Sequence, residues 1–91
     1  MSASLRGARI DLGLTLTAVA GKIEVNSGML SEIERGHRPA PRYVVERLAA
    51  ALGLEVSEVA ALCIRAQREH RRAIATQELT RSIAQTEEAS P

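Results

Sequence analysis

The run "VNSGMLSEIERGHRPAP", residues 25–41, gathers hydroxyl, carboxylate and cationic groups in a chain otherwise rich in Leu, Ala, Ile and Val. Ser27 and Ser31 donate or accept hydrogen bonds, Glu32 accepts them, and Met29 offers a soft apolar contact. Gly28 between them lets another backbone come close. His37, Arg38, Arg42 and Tyr43 follow, a cluster suited to an anionic partner. This is the chemistry of recognition, not of bond making. The sequence holds no Ser/His/Asp or Cys/His constellation, no paired carboxylates placed for a cleft and no Gly-rich phosphate loop. It is therefore read as no enzyme and implies no cofactor. His37 and His70 stand apart in sequence from each other and from any Cys, without metal-ligand spacing, so no metal is expected.

The elements that must position these groups follow from composition. A chain of 91 residues supports one core. Apolar residues make up 45 % of it, with no Phe or Trp and a single Tyr, so the core must be aliphatic. Leu and Ala favour helices, whereas strands want aromatic and β-branched residues; the fold class expected is all-α. Twelve Lys and Arg against eleven Asp and Glu leave a charge of +1, so an anionic partner would need a local basic face. Cys63, in "AALCIRA", reads as a small core hydrophobe in a reducing compartment. No apolar run reaches the roughly 20 residues that span a bilayer, and the first ten residues hold no signal-type apolar core; a cytoplasmic location without membrane contact is expected.

Five helices can be placed. Ser4 caps one over about 5–12, with Leu5, Ala8, Ile10 and Leu12 as apolar positions and Gly13 as its stop. Thr15 caps a second over about 16–23, which buries Leu16 or Val19, Ala20 and Ile23. After the turn "EVN", Asn26 caps a third that runs to about Arg35, with Leu30 and Ile33 on one side and Gly36 closing it. "HRPAP" must be a loop, because Pro39 and Pro41 remove donors and extend their neighbours. Pro41 starts a fourth helix over about 42–52, with Val45, Leu48, Ala49 and Leu52 inward and Gly53 after it. Ser57 caps a fifth from Glu58, which packs Val59, Leu62 and Cys63.

Residues 5–59 resemble the helix-turn-helix proteins of the phage repressor and Cro type, the XRE family. The resemblance rests on "ARIDLGLT", "VAGKI", "LSEIERGHRPAPR" and "LAAALGL". It implies a five-helix lambda-repressor-like domain over 1–64, with 65–91 as a C-terminal helical extension. It also implies double-stranded DNA as partner and a transcriptional regulator, in the repressing sense, that binds as a homodimer. A steep helix pair of this kind projects its second helix into the major groove, about 12 Å wide. The base-edge candidates are then Ser27, Gly28, Met29, Ser31 and Glu32. None is Arg, Gln or Asn, so direct readout should be weak. Backbone or minor-groove candidates are Thr15, His37, Arg38, Arg42 and Tyr43; the family's arginine matching Arg42 can enter the minor groove and read shape. Leu16 stands where family members often carry Gln, so one familiar polar contact is missing. Arg9 and Glu34 match a family pair that ties the first helix to the end of the third.

Simpler readings stand beside these. Ser27 and Gly28 are also acceptable helix-start residues, and Glu32 and Arg42 ordinary solvated charges. The extension, whose apolar positions after Ala66 are sparse, Ala73, Ile74, Leu79 and Ile83 among them, is expected to continue the fifth helix to about residue 75. A break or second short helix follows around "TQELTRSIAQ", and "EEASP" is loose. It reads as a dimerisation arm, as an Arg65, Arg68, Arg71 and Arg72 stripe for DNA or a protein partner, or as a frayed helix. Single-strand or RNA binding is disfavoured because Tyr43 alone makes a poor stacking platform. The second functional class is a protein-interaction module on the same fold, an antitoxin or an adaptor.

Overall fold

The computed structural model describes residues 4–89, all of whose regular elements are helices: α1 Leu5–Asp11, α2 Leu16–Lys22, α3 Ser27–Glu34, α4 Arg42–Leu52 and α5 Val56–Ala89. The first three start on side-chain caps. Ser4 Oγ accepts from Gly7 N–H at 2.9 Å, Thr15 Oγ1 from Ala18 N–H at 3.1 Å, and Asn26 Oδ1 from Met29 N–H at 2.6 Å. Each cap satisfies a backbone donor that the helix itself leaves free, which contributes about 1 kcal/mol. Gly53 ends α4 in the left-handed region at φ 67°, with Leu54 N–H donating to Ala49 C=O. Such a turn is open to glycine at little cost.

The core is the meeting of one face from each helix. Val19, Leu30, Ile33, Val44, Leu48 and Val59 are fully buried, and Leu5, Ala8, Ala20, Ile23, Val45, Ala49, Leu52 and Cys63 complete the cluster. Burial pushes the Cys63 thiol pKa up, which keeps it protonated and unreactive. Ile10 and Leu12, apolar positions of the first helix, are exposed; only Leu5 and Ala8, three residues apart, face inward. The α2–α3 turn is held by Val25 N–H to Ala20 C=O at 3.0 Å, with Glu24 at φ 60°. A non-glycine residue in that region is strained, and α2 packing on α3 holds it there.

Two expectations about the last helix require correction. It starts at Val56, not Glu58, and Ser57 lies within its first turn instead of capping it; Val59 N–H already closes on Glu55 C=O at 3.1 Å. It also runs unbroken through "TQELTRSIAQ" and on to Ala89, so much of the expected loose end is helical, while Ser90 and Pro91 lie outside the described residues. The physical reason is intrinsic propensity. Between Gly53 and Pro91 there is no Gly or Pro, and Ala, Arg, Gln and Glu abound, so sparse apolar positions do not interrupt the helix. At 1.5 Å per residue α5 is about 50 Å long, and the molecule measures 59 × 23 × 23 Å.

Gly36 sets how α5 crosses the end of α3. It is buried at φ 77°, and a Cβ there would collide with the Ala66 carbonyl of α5. Gly13, at φ 70°, faces open space. Gly36→Ala therefore carries both the left-handed cost and an overpacking cost, about 2–4 kcal/mol together, whereas Gly13→Ala carries only the former, about 1–2 kcal/mol. Urea midpoints of the two variants check the difference, and equal losses would show that α5 yields freely.

Candidate nucleic-acid interface

Arg9 locks the frame in which α3 sits. Its Nε and Nη2 donate to Glu34 Oε2 at 2.9 Å and Oε1 at 3.2 Å, a two-pronged pairing, and its Nη1 donates to Leu14 C=O at 2.9 Å. The two side chains are 11 % and 8 % exposed. One guanidinium thus joins α1, the turn before α2 and the last residue of α3. Its planar fork makes this possible, which a lysine could not reproduce. From the other side, Arg47 of α4 donates Nη1 to Ile23 C=O at 3.0 Å, holding the end of α2 beside the turn. The Arg47 guanidinium also lies 5.1 Å from the centre of the Tyr43 ring.

With Leu30 and Ile33 buried, α3 presents its N-terminal end outward. Ser27 and Gly28 are exposed, and Ser31 and Glu32 are half-buried. Met29 is half-buried and packs against the core, so most of its surface serves the fold. Gly28 has a local role as well: a Cβ there would press on Asn26 Oδ1 at 3.3 Å, the atom that caps α3. Glu32 is engaged. Arg38 Nε lies 2.9 Å from Glu32 Oε2, both half exposed. Thr15 is exposed at the start of α2, its hydroxyl accepting from Ala18 N–H.

Beyond α3, Arg42 opens α4 with its side chain 93 % exposed, touching Glu46 at 3.0 Å across one helical turn. Solvent-exposed pairs of this kind contribute about 0–1 kcal/mol, so both Arg38 and Arg42 can exchange their carboxylates for another anion. Tyr43 is half exposed next to them. His37 is exposed, its N–H donating to Glu32 C=O at 2.9 Å, and its ring stacks on His70 of α5. The structure thus brings the α3 start and the loop cluster onto a frame held by Arg9, Arg47 and α5. Sequence reasoning passed over Glu46 and Arg47 and read His70 only as no metal ligand. Glu46 and Arg47 each lie four residues after Arg42 and Tyr43, a helical spacing that could have flagged both pairs; nothing local marked His70.

This arrangement is a helix-turn-helix. The helix-turn-helix domain family matches residues 1–62, and the chain belongs to it. Among its relatives is the transcriptional regulator ClgR of Mycobacterium tuberculosis, in strains CDC 1551 and H37Rv, 42 % identical over 55 residues that make up 60 % of this chain. The matched part covers 49 % of those relatives, so the chain spans about half the length of the curated relatives it matches. The crystal structure of the clp gene regulator ClgR from Corynebacterium glutamicum superposes with a TM-score of 0.60 at 32 % identity, covering 92 % of this chain and 86 % of that one.

Removing one partner of the Arg9–Glu34 pair leaves a charge with little access to water. Glu34→Ala is expected to cost about 3–5 kcal/mol, and Arg9→Met with Glu34→Leu together markedly less than the single changes summed. Chemical denaturation of the two single variants and the double variant measures this coupling; additive losses would mean the pair is merely a surface contact.

Proposed function

We propose that the chain is a sequence-selective, double-stranded-DNA-binding transcriptional regulator of the XRE type, acting in the cytoplasm as a homodimer, and as a repressor where its operator overlaps a promoter. The observation that carries this reading is the exposed N-terminal end of α3, fixed by the Arg9 and Arg47 clamps, beside the Arg38 and Arg42 cluster. In a helix-turn-helix that end enters the major groove. Ser27, Gly28 and Ser31 then approach base edges, with Glu32 able to accept from cytosine and the exposed edge of Met29 set against a thymine methyl. Thr15, His37, Arg38 and Tyr43 hold phosphates, and Arg42 reads the width of the neighbouring minor groove. The relatives that match are a transcriptional regulator and a clp gene regulator.

The dimer reading rests on α5. Ile74, Leu79 and Ile83 are exposed along a helix that projects past the core, and a second copy would cover them. The absence of Arg, Gln and Asn among Ser27, Gly28, Met29, Ser31 and Glu32 favours a second reading, a protein-interaction module that meets its partner through residues 65–91 and binds DNA only without selectivity.

Selection from random-sequence DNA at near-physiological salt decides between them. An inverted repeat with half-sites about 34–36 Å apart is expected; the absence of enrichment by folded protein would favour the interaction module. On the selected operator, Arg42→Ala should weaken binding about tenfold and flatten the preference for A·T-rich minor-groove flanks, while equal loss on all sequences would reduce Arg42 to a phosphate contact. Sedimentation of the Leu79→Glu, Ile83→Glu double variant should show the monomer where the unaltered chain is dimeric. An unchanged distribution would remove the arm from the dimer interface.

A further inference from the structure

The start of the α3–α4 loop docks on one turn of α5. Gly36 lies against the Ala66 carbonyl, and the next residue, His37, stacks on His70, four positions along the same face. The rings are 4.0 Å apart between centroids and inclined by 29°. The same loop carries Arg38 and leads into Arg42. We infer that His70, a residue of the long helix, positions the DNA-contacting loop through His37, and that acidification releases this hold by placing on His37 a charge that His70 repels. The inference rests on the proposed function for the role of the loop, but the coupling of the two rings stands by itself.

Protons act here through identifiable neighbours. Partial loss of water where its ring meets α5 holds the pKa of the exposed His37 below the ordinary 6.5; the like charges of His70 on α5 and Arg35 at the end of α3 push the same way, and Glu32 of α3 opposes them. The Glu32 carboxylate is shared with Arg38 of the loop. The sign follows. The folded protein favours neutral His37, so the stabilising contribution is fully present above pH 6.5 and is lost as pH falls through the lower folded value. Below it a cationic His37 faces His70 at stacking distance beside Arg35, both opposing its charge, and the loop gains by leaving α5. A metal bridge is a poor alternative, because no group of three His, Cys, Asp or Glu that could hold one occurs among the described residues.

The roles separate in the full chain carrying His70→Phe, which keeps an aromatic ring on His37 but cannot take a proton, and His70→Ala, which removes the ring. Ring resonances of His37, followed by NMR from pH 8 to 5, should titrate higher in His70→Phe than in the unaltered protein; an unchanged titration overturns the coupling. Binding to the selected operator at fixed salt should weaken about tenfold between pH 7.5 and 5.5 in the unaltered protein, with helicity by circular dichroism constant. Added histidine charge alone would strengthen binding to DNA, so the direction is diagnostic. His70→Phe should lose this weakening, and His70→Ala should bind weakly at every pH. Equal pH profiles for the unaltered protein and His70→Phe overturn the positioning role. No DNA binding at any pH overturns the proposed function and the positioning role together, while the titration still decides whether the rings are coupled.

Discussion

The Arg9 fork on Glu34 and Leu14 is the constraint on which the recognition surface depends. The core would accept small rotations of α3, since Leu30 and Ile33 are held by non-directional aliphatic packing. Directional hydrogen bonds from a planar guanidinium remove that freedom. They fix the end of α3 to α1 and to the turn that launches α2, so the two helices of the motif cannot change their angle independently. Arg47 does the same at the other end of α2 through the Ile23 carbonyl. Two arginines therefore serve geometry, while Arg38 and Arg42, paired only at the surface, keep their charges available.

The loop after α3 joins this frame to α5. Gly36 permits a backbone approach that any side chain would block, and the histidine stack lies directly beside it. One continuous helix thus runs from the core at Val59 and Cys63, past the loop at Ala66 and His70, to the exposed Ile74, Leu79 and Ile83. A second chain bound to the far end would be linked mechanically to the loop proposed to meet DNA. Because the helix has no Gly or Pro to bend at, an angular change at one end is transmitted to the other.

Much of the fold was legible in local sequence. Ser4, Thr15 and Asn26 announced three helix starts, and Gly53 ended the fourth helix, because capping depends on the few residues around it. The resemblance of "LSEIERG" and its surroundings supplied the motif. The length of the fifth helix follows from intrinsic propensity, whereas its hydrophobic periodicity alone points to a break near residue 75. Ile10 and Leu12 were apolar without being inside, since α1 turns only a narrow face to the core.

By itself the sequence determined an aliphatic, all-helical chain with capped short helices, one Pro-stiffened basic loop and a third helix whose candidate contact positions hold no Arg, Gln or Asn. Those properties live in residue types and in spacings of three or four. Only the tertiary structure decided that Glu32 is held by Arg38, that Met29 mostly serves the core, that Arg47 braces the turn, and that His37 and His70 share a stack. These contacts join residues from different elements or settle which way one side chain turns. They depend on how helices cross, and no local pattern specifies that.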